Sequence, residues 1–201
     1  MLDKTLPYRN IIMKRYRGTP VPTHPLPSGY AFRSYQSGDE FAWADILFSV
    51  GEFDTREEAL KEYREVYLPH PDELARRSLF IVTDDGEPVG TLTNWWNESA
   101  GGREPSVHWV GVRPDHQGLG LGKALVFEGM ARMIALEGDR DFFLHTQTWS
   151  HRAVNLYLAA GYRFVRGEAF GSYENETELA LAVIRDHIQP RFRHLLSPVE
   201  E

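Results

Sequence analysis

The chain has 201 residues, of which 42% are apolar and 25% charged, and its formal net charge at pH 7 is −7. That length suits one domain with its own hydrophobic core. The acidic balance argues against a nucleic-acid-binding protein and favours a cationic partner such as an amine. Cysteine is absent, which excludes disulfides, thiolate metal ligands and a cysteine nucleophile, and no metal site is predicted.

No apolar run approaches the roughly 20 residues that a membrane helix needs, so no membrane partner is expected. Basic residues are scattered over the first 15 positions, and this segment lacks the continuous apolar core of a secretory signal. We therefore expect a cytoplasmic protein. Its oligomeric state is open, with a homodimer as one alternative.

Residues 1–28 contain five prolines and show no clear period. They are predicted to form an extended arm over the surface, with disorder as the equal alternative. A domain over residues 29–187 follows, and residues 188–201 form a C-terminal tail.

The first part of the domain indicates a strand and two helices. Residues 30–35 alternate apolar and polar side chains as a strand does. A helix with Phe41, Ala44, Asp45 and Phe48 at helical spacing comes next. A second helix fits residues 55–67, with Thr55 as its N-cap and Glu58 as its capping-box partner.

A hairpin and a central strand follow. Residues 79–83 and 88–96 are predicted strands, joined by a turn over residues 84–87. Residues 98–105 form a loop that leads into a short apolar strand over residues 107–112.

The second part predicts a helix, a strand, a short helix and another strand, over residues 121–137, 142–148, 150–160 and 162–165. Residues 178–184 fit either a strand or a helix, because a short all-apolar run has no diagnostic period.

Glycines on alternate positions separate the central strand from the helix that follows it, and they are Gly118, Gly120 and Gly122. The backbone N–H groups at a helix start have no intrahelical partner and lie at the positive end of the helix dipole. Glycines let an anion approach them closely, so the stretch predicts a phosphate-bearing ligand.

Two common phosphate motifs do not fit this loop. A dinucleotide fingerprint starting at Gly118 would need a glycine where Lys123 stands. A P-loop ending at Gly122-Lys123 would need Ser or Thr where the chain has Ala124.

The remaining pattern resembles the acyl-CoA pyrophosphate loop of the GNAT superfamily of N-acetyltransferases, Q/R-x-x-G-x-G/A after a strand ending V-x-P. Here it is Gln117–Gly122 after Val112-Arg113-Pro114. The superfamily's N-x-x-A-x-x-L-Y…G-F/Y pattern also matches residues 150–162, except that Ser150 stands where asparagine is usual. The resemblance implies an α/β (α+β) fold with a mixed central sheet of about six to seven strands, splayed between the fourth and fifth. About four helices would flank it, and residues 178–184 would be the last strand.

The resemblance also implies that acetyl-CoA is the acyl donor. The residues implied to bind it are Val110, Val112, Gln117, Gly118, Leu119, Gly120, Leu121, Gly122, Lys123, Ser150 and Arg152. Of these, Val110 and Val112 would pair through their backbone with the pantetheine arm. His116, Arg113, Lys123 and Arg152 are expected beside the phosphates, with a solvated charge as the alternative for each.

The reaction that the resemblance implies is direct attack of a primary amine on the thioester. Tyr157 stands at the position that protonates the departing thiolate, and a tyrosine hydroxyl, whose ordinary pKa is about 10, can donate at neutral pH. His108 and Glu104 are the candidate bases, with His145 as a third option. A core aromatic is the alternative role of Tyr157, and a packed strand residue that of His108.

Trp95 and Trp96 are candidates for the acceptor side, together with the acidic residues of the second helix. Three functions remain open: an N-acyltransferase acting on a small amine, an acyl-CoA-binding sensor without turnover, and an enzyme that acetylates proteins.

Overall fold

The computed structural model describes residues 2–99, 102–167 and 170–196. The strands of the described residues are β1 (Asn10–Arg15), β2 (Tyr30–Ser34), β3 (Ser78–Thr83), β4 (Pro88–Ser99), β5 (Gly102–Val112), β6 (Phe142–Gln147) and β7 (Arg163–Phe164). Their α-helices are α1 (Asp39–Val50), α2 (Arg56–Val66), α3 (Pro71–Arg77), α4 (Leu121–Glu137), α5 (His151–Ala159) and α6 (Thr177–Ile184).

The strands form one mixed sheet in the order β2-β3-β4-β5-β6-β1-β7. β5 and β6 run parallel, with Ser106 opposite Phe143, whereas β1 is antiparallel to both of its neighbours. The mixed α/β sheet of seven strands is therefore confirmed. Strands β5 and β6 correspond to the fourth and fifth strands predicted from the sequence. The splay between them stays a prediction.

The chain groups into two compact units, the first comprising residues 23–94 and 109–133. In this unit β2 pairs with β3 and β3 with β4, both antiparallel, so the predicted hairpin is confirmed. The capping box of α2 is also confirmed, because the Thr55 hydroxyl accepts from the Glu58 amide and the Glu58 carboxylate accepts from the Thr55 amide.

Close packing in the first unit fixes α4 against β4. A Cβ added to Gly129 would lie 2.7 Å from a methyl carbon of Leu92, so a side chain there would require Leu92 to move. The Asn94 side chain donates a 2.8 Å hydrogen bond to the Gly129 carbonyl. Because α4 is held at this point, the position of its N-terminus is set by the sheet.

The second unit comprises residues 2–22, 95–108 and 134–196, and its first strand corrects the surface-arm prediction. Residues 10–15 are not on the surface: they form β1, which pairs over its whole length with β6, and Ile11, Ile12 and Met13 are fully buried. Arg15, also buried, pairs with Asp139, and Lys14 pairs with Asp141. The boundaries at residues 28 and 187 stay predictions.

The strand predicted over residues 178–184 is wrong, because this segment is helix α6. The short strand β7 pairs with β1 only at Met13 and Lys14. Two side chains at the start of α6 accept hydrogen bonds from backbone amides of β1. The Glu176 carboxylate accepts from the Asn10 amide, and the Thr177 hydroxyl accepts from the Ile12 amide. These two side chains therefore attach the start of α6 to the backbone of β1.

The four predicted helices are present as α1, α2, α4 and α5, and the described residues hold two more, α3 and α6. Short 3₁₀ turns over residues 185–187 and 190–195 extend into the predicted tail. Across the described ranges, no helix is both long and apolar enough to cross a bilayer.

Candidate functional site

The glycine-rich loop joins the end of β5 to the start of α4. A 3₁₀ turn over Pro114–His116 follows the strand, and α4 begins at Leu121. Gly118 and Gly120 have φ angles of +84° and +83°, the left-handed region that glycine adopts without a Cβ penalty. These two residues therefore turn the chain sharply into the helix, as the alternate glycine spacing predicts.

Hydrogen bonds brace the loop and leave its donors available. The Gln117 side chain donates to the Val112 carbonyl at 2.8 Å. The Gly120 carbonyl accepts from the amides of Lys123 and Ala124, both at 3.1 Å, and so starts the helix. Among the hydrogen bonds of the described residues, none uses a backbone amide of residues 118–122 as its donor. A row of N–H groups at a helix N-terminus suits a bound anion.

The charged residues around the loop differ in how far they are already paired. Arg113 pairs with Asp115, 2.9 Å away, and with Glu87, and hydrogen bonds to these carboxylates raise the pKa of the guanidinium. His116 lies with Nδ1 2.9 Å from the Tyr30 hydroxyl. The half-buried Lys123 ammonium lies 5.5 Å from the Phe127 ring centre. Arg113 is therefore partly neutralised by the protein itself.

The other predicted donor-side residues of the first unit lie on β5 and in the loop. Val112 is buried and Val110 half-buried on β5, Leu119 is 51% exposed, and Leu121 is buried at the start of α4 with Gly122 half-buried beside it. The structure thus presents Gln117, Gly118 and Leu119 to solvent, and fixes the helix start beneath them.

The second motif occupies a 3₁₀ turn and helix α5 in the second unit. Ser150 is buried at the N-cap, but its hydroxyl makes no capping hydrogen bond. Arg152 is exposed, and Tyr157 is 7% exposed with its ring centre 6.1 Å from that of Tyr162. The helix therefore holds Tyr157 in a packed position and leaves the Ser150 hydroxyl without a capping role.

Asn155 is the amide side chain of α5, and its function is structural. It donates to the carbonyls of His151 and His187 and accepts from the Gln189 amide at 2.8 Å. These bonds attach the C-terminal segment to the helix. The amide therefore does not replace the asparagine that the motif lacks at Ser150.

The candidate bases Glu104 and His108 share one face of β5 but are well separated. Four residues along a strand correspond to about 13 Å, so the two side chains do not converge on one proton. Desolvation and the neighbouring His145 lower the pKa of His108 to about 4. Desolvation also lowers the pKa of His145 to about 4, and its Nε2 lies 2.9 Å from Asn10 Oδ1. Both imidazoles are neutral at pH 7.

The structure contains two groups of packed tryptophans, of which the first was predicted for the acceptor side. Trp95 and Trp96 are buried and stacked on each other, with ring centres 4.1 Å apart, which leaves little ring surface for a substrate. In the first unit, Trp109 has a φ of +49°, a strained value for a bulky residue. Its half-buried ring lies 4.8 Å from that of Phe53 and 6.0 Å from that of Trp43. Sequence reasoning missed this second group because no motif marks Trp109.

The part of the chain that the structure describes contains no group of three or more His, Asp or Glu side chains that could hold a metal ion.

Residues 41–162 match the Acetyltransferase (GNAT) family, and the chain belongs to that family. The superfamily resemblance inferred from the two motifs is confirmed.

Among curated relatives are two mycothiol acetyltransferases. The one from Thermobispora bispora is 29% identical over 163 residues, which cover 75% of this chain and 52% of the relative. The one from Actinosynnema mirum is 31% identical over 142 residues, which cover 69% of this chain and 46% of the relative. The chain thus spans about half the length of the curated relatives it matches.

A solved structure shows the same fold. The GCN5-related N-acetyltransferase from Sphaerobacter thermophilus matches with a TM-score of 0.59 at 27% sequence identity, covering 78% of this chain and 50% of that chain.

Proposed function

We propose that this chain is an acetyl-CoA-dependent N-acetyltransferase domain that acts on a primary amine. The observation that carries the proposal is the loop over residues 117–122. Two glycines there have positive φ, and the described hydrogen bonds leave the amides of residues 118–122 free to bind an anion.

The diphosphate of acetyl-CoA is the anion that this loop would bind. Its negative oxygens accept hydrogen bonds from backbone N–H groups, and the helix dipole of α4 adds to the attraction. Gln117 braces the loop through Val112, which keeps the donors in one arrangement. The backbone of Val110 and Val112 would pair with the pantetheine arm.

The proposed reaction needs no covalent enzyme intermediate, which suits a chain without cysteine. The amine nitrogen forms a bond with the thioester carbonyl carbon, the carbon–sulfur bond breaks, and the amine proton passes to a base. Tyr157 donates its hydroxyl proton to the departing thiolate and regains one from solvent. Its support is its place in the second motif and its fixed, largely buried position on α5.

Among the base candidates, His108 is neutral at pH 7 and so is able to accept a proton. With a pKa of about 4 it would be a weak base, and the acidic limb of the rate profile would then lie near pH 4. A limb near pH 6.5 would exclude His108 in this state.

The acceptor is an amine, and the net charge of −7 favours a cationic one. The names of the curated relatives make a mycothiol-related amine the first acceptor to test.

A thiol-release assay with acetyl-CoA and a panel of amines, including polyamines, amino acid derivatives and a mycothiol-related amine, tests the proposal. We expect release of CoA that depends on one class of amine. Binding of acetyl-CoA with no turnover on any amine would instead support a sensor domain.

A further inference from the structure

The His24 side chain lies against the glycine-rich loop. A Cβ built on Gly120 would stand 2.8 Å from His24 Nε2 and 3.6 Å from its Cδ2. Real Cβ atoms do not approach a nitrogen so closely, so the imidazole fills the space in which a side chain at residue 120 would lie. His24 and Gly120 belong to the same compact unit.

The segment that carries His24 is stiff. Pro25 and Pro27 fix their own φ angles, and a residue that precedes proline is restricted to extended conformations. His24 itself precedes Pro25. Its backbone therefore loses little further freedom when the ring is held at the loop.

Two features of the structure favour glycine at position 120. The superfamily loop pattern has glycine at this place, and here a φ of +83° strains any other residue while the His24 ring occupies the space that a Cβ would need. The glycine is thus coupled to a histidine nearly a hundred residues earlier in the sequence.

The His24 ring nitrogens have no hydrogen-bond partner among the described residues, although the side chain is half-buried. A half-buried imidazole beside a row of free amide donors is well placed to add one more donor to whatever those amides bind.

We propose that His24 is a further ligand of the acyl-CoA diphosphate and donates a hydrogen bond from its imidazole to a phosphate oxygen. This inference rests on the proposed function, because it assumes that the loop binds a diphosphate. It assigns a binding role to a segment that lies outside the glycine motif and close to the N-terminus.

Calorimetric titration of CoA into the purified full chain and three variants at His24 tests the proposal. His24→Ala removes the ring, His24→Phe keeps a ring without donors, and His24→Gln places an amide nitrogen near the position of Nε2. Thr23→Ala is the matched control, because Thr23 is exposed on the same segment. Thermal melting of each variant shows whether it is folded.

We expect CoA affinity to fall about tenfold in His24→Ala and in His24→Phe, the size of one hydrogen bond to a charged group. His24→Gln should stay within about threefold of the wild type, and Thr23→Ala should be unchanged. With S-acetylpantetheine as the acyl donor, which lacks the diphosphate, kcat/KM should not respond to any of the substitutions.

Wild-type affinity in His24→Ala or His24→Phe would overturn the role of His24, and tighter binding would show that the ring obstructs the loop. An equal loss with S-acetylpantetheine would show a structural effect only. If the wild type itself does not bind CoA, the proposed function fails first, so the two failures are distinguishable.

Discussion

The Gln117 side chain donates a 2.8 Å hydrogen bond to the main-chain oxygen of Val112, five residues earlier. This bond ties the first residue of the loop to the last residue of β5. It closes a short turn whose remaining residues, Arg113 to His116, include a proline and a 3₁₀ segment. The loop is thereby held at both ends, since α4 is fixed at Gly129.

Gln117→Ala should loosen the loop without unfolding the domain. The lost bond is neutral and partly exposed, so a contribution of about 1 kcal/mol, or about fivefold in CoA affinity, is expected. Gln117→Glu should weaken binding more, because a carboxylate cannot donate to Val112 and repels the diphosphate. Titration of CoA into both variants checks this, and equal affinity in all three proteins would contradict it.

Gly118→Ala should lower both stability and CoA affinity. A Cβ at Gly118 would meet nothing within 4 Å, so its cost is backbone strain at a φ of +84°, roughly 1–2 kcal/mol. Gly86 is the matched control, because its φ is +83° and its surroundings are equally open, but it lies in the β3–β4 hairpin. Urea unfolding should show similar losses in both variants, and CoA titration a loss in Gly118→Ala alone.

Tyr157→Phe should reduce kcat by about 100-fold and leave the KM for acetyl-CoA nearly unchanged, because the hydroxyl acts only when the thiolate departs. Tyr162→Phe is the control: the hydroxyl of Tyr162 is buried without a partner among the described residues, so its removal should not affect rate. Steady-state kinetics on both variants measures the difference. Equal rates for Tyr157→Phe and the wild type would remove Tyr157 from the mechanism.

Stability should fall as the pH is lowered from about 6.5 to 4. Burial lowers the pKa of His108 and of His145 to about 4, so the unfolded chain, with an ordinary value near 6.5, binds more protons in this interval. Above pH 6.5 both states are neutral and the full stability is present. About 1 kcal/mol per imidazole is expected, less than the full shift implies because both side chains keep some exposure.

Urea unfolding at several pH values measures this effect. His145→Gln should lose part of the pH dependence, whereas the exposed control His194→Gln should keep all of it. A free energy of unfolding that does not change between pH 6.5 and 4 would contradict the buried, neutral state of these imidazoles.

The features that sequence predicted correctly depend on local signals. The capping box of α2 needs only residues three apart, and the hairpin turn and the glycine loop are equally short. The loop glycines carry their own conformational requirement, so spacing alone located the helix start at residue 121.

The errors arise where distant residues decide the structure. Strand β1 ends in Lys14 and Arg15, and charged side chains typically indicate an exposed segment. Arg15 is nevertheless buried, because it pairs with Asp139, which lies 124 residues further along the chain. Helix α1 is present as predicted, but the spacing that indicated it does not mark the buried face, since Phe41 is 54% exposed while Trp43 is fully buried. An apolar pattern cannot rank two aromatic residues by burial without knowledge of the sheet beneath them.

The same limit applies to the site. The approach of His24 to Gly120 and the strained backbone of Trp109 depend on tertiary packing, and neither leaves a mark in the local sequence. The conformation of the glycine-rich loop was predictable because one continuous segment builds it, whereas a base and an acceptor site would draw on several elements.

Isothermal titration calorimetry of CoA and acetyl-CoA against the purified chain tests the central claim most directly. We expect saturable heat with one ligand bound per chain, abolished or strongly reduced when Gly118→Ala distorts the loop. The absence of binding heat for both ligands, from a wild-type protein that melts cooperatively, would contradict the assignment of the loop over residues 117–122 as a diphosphate site.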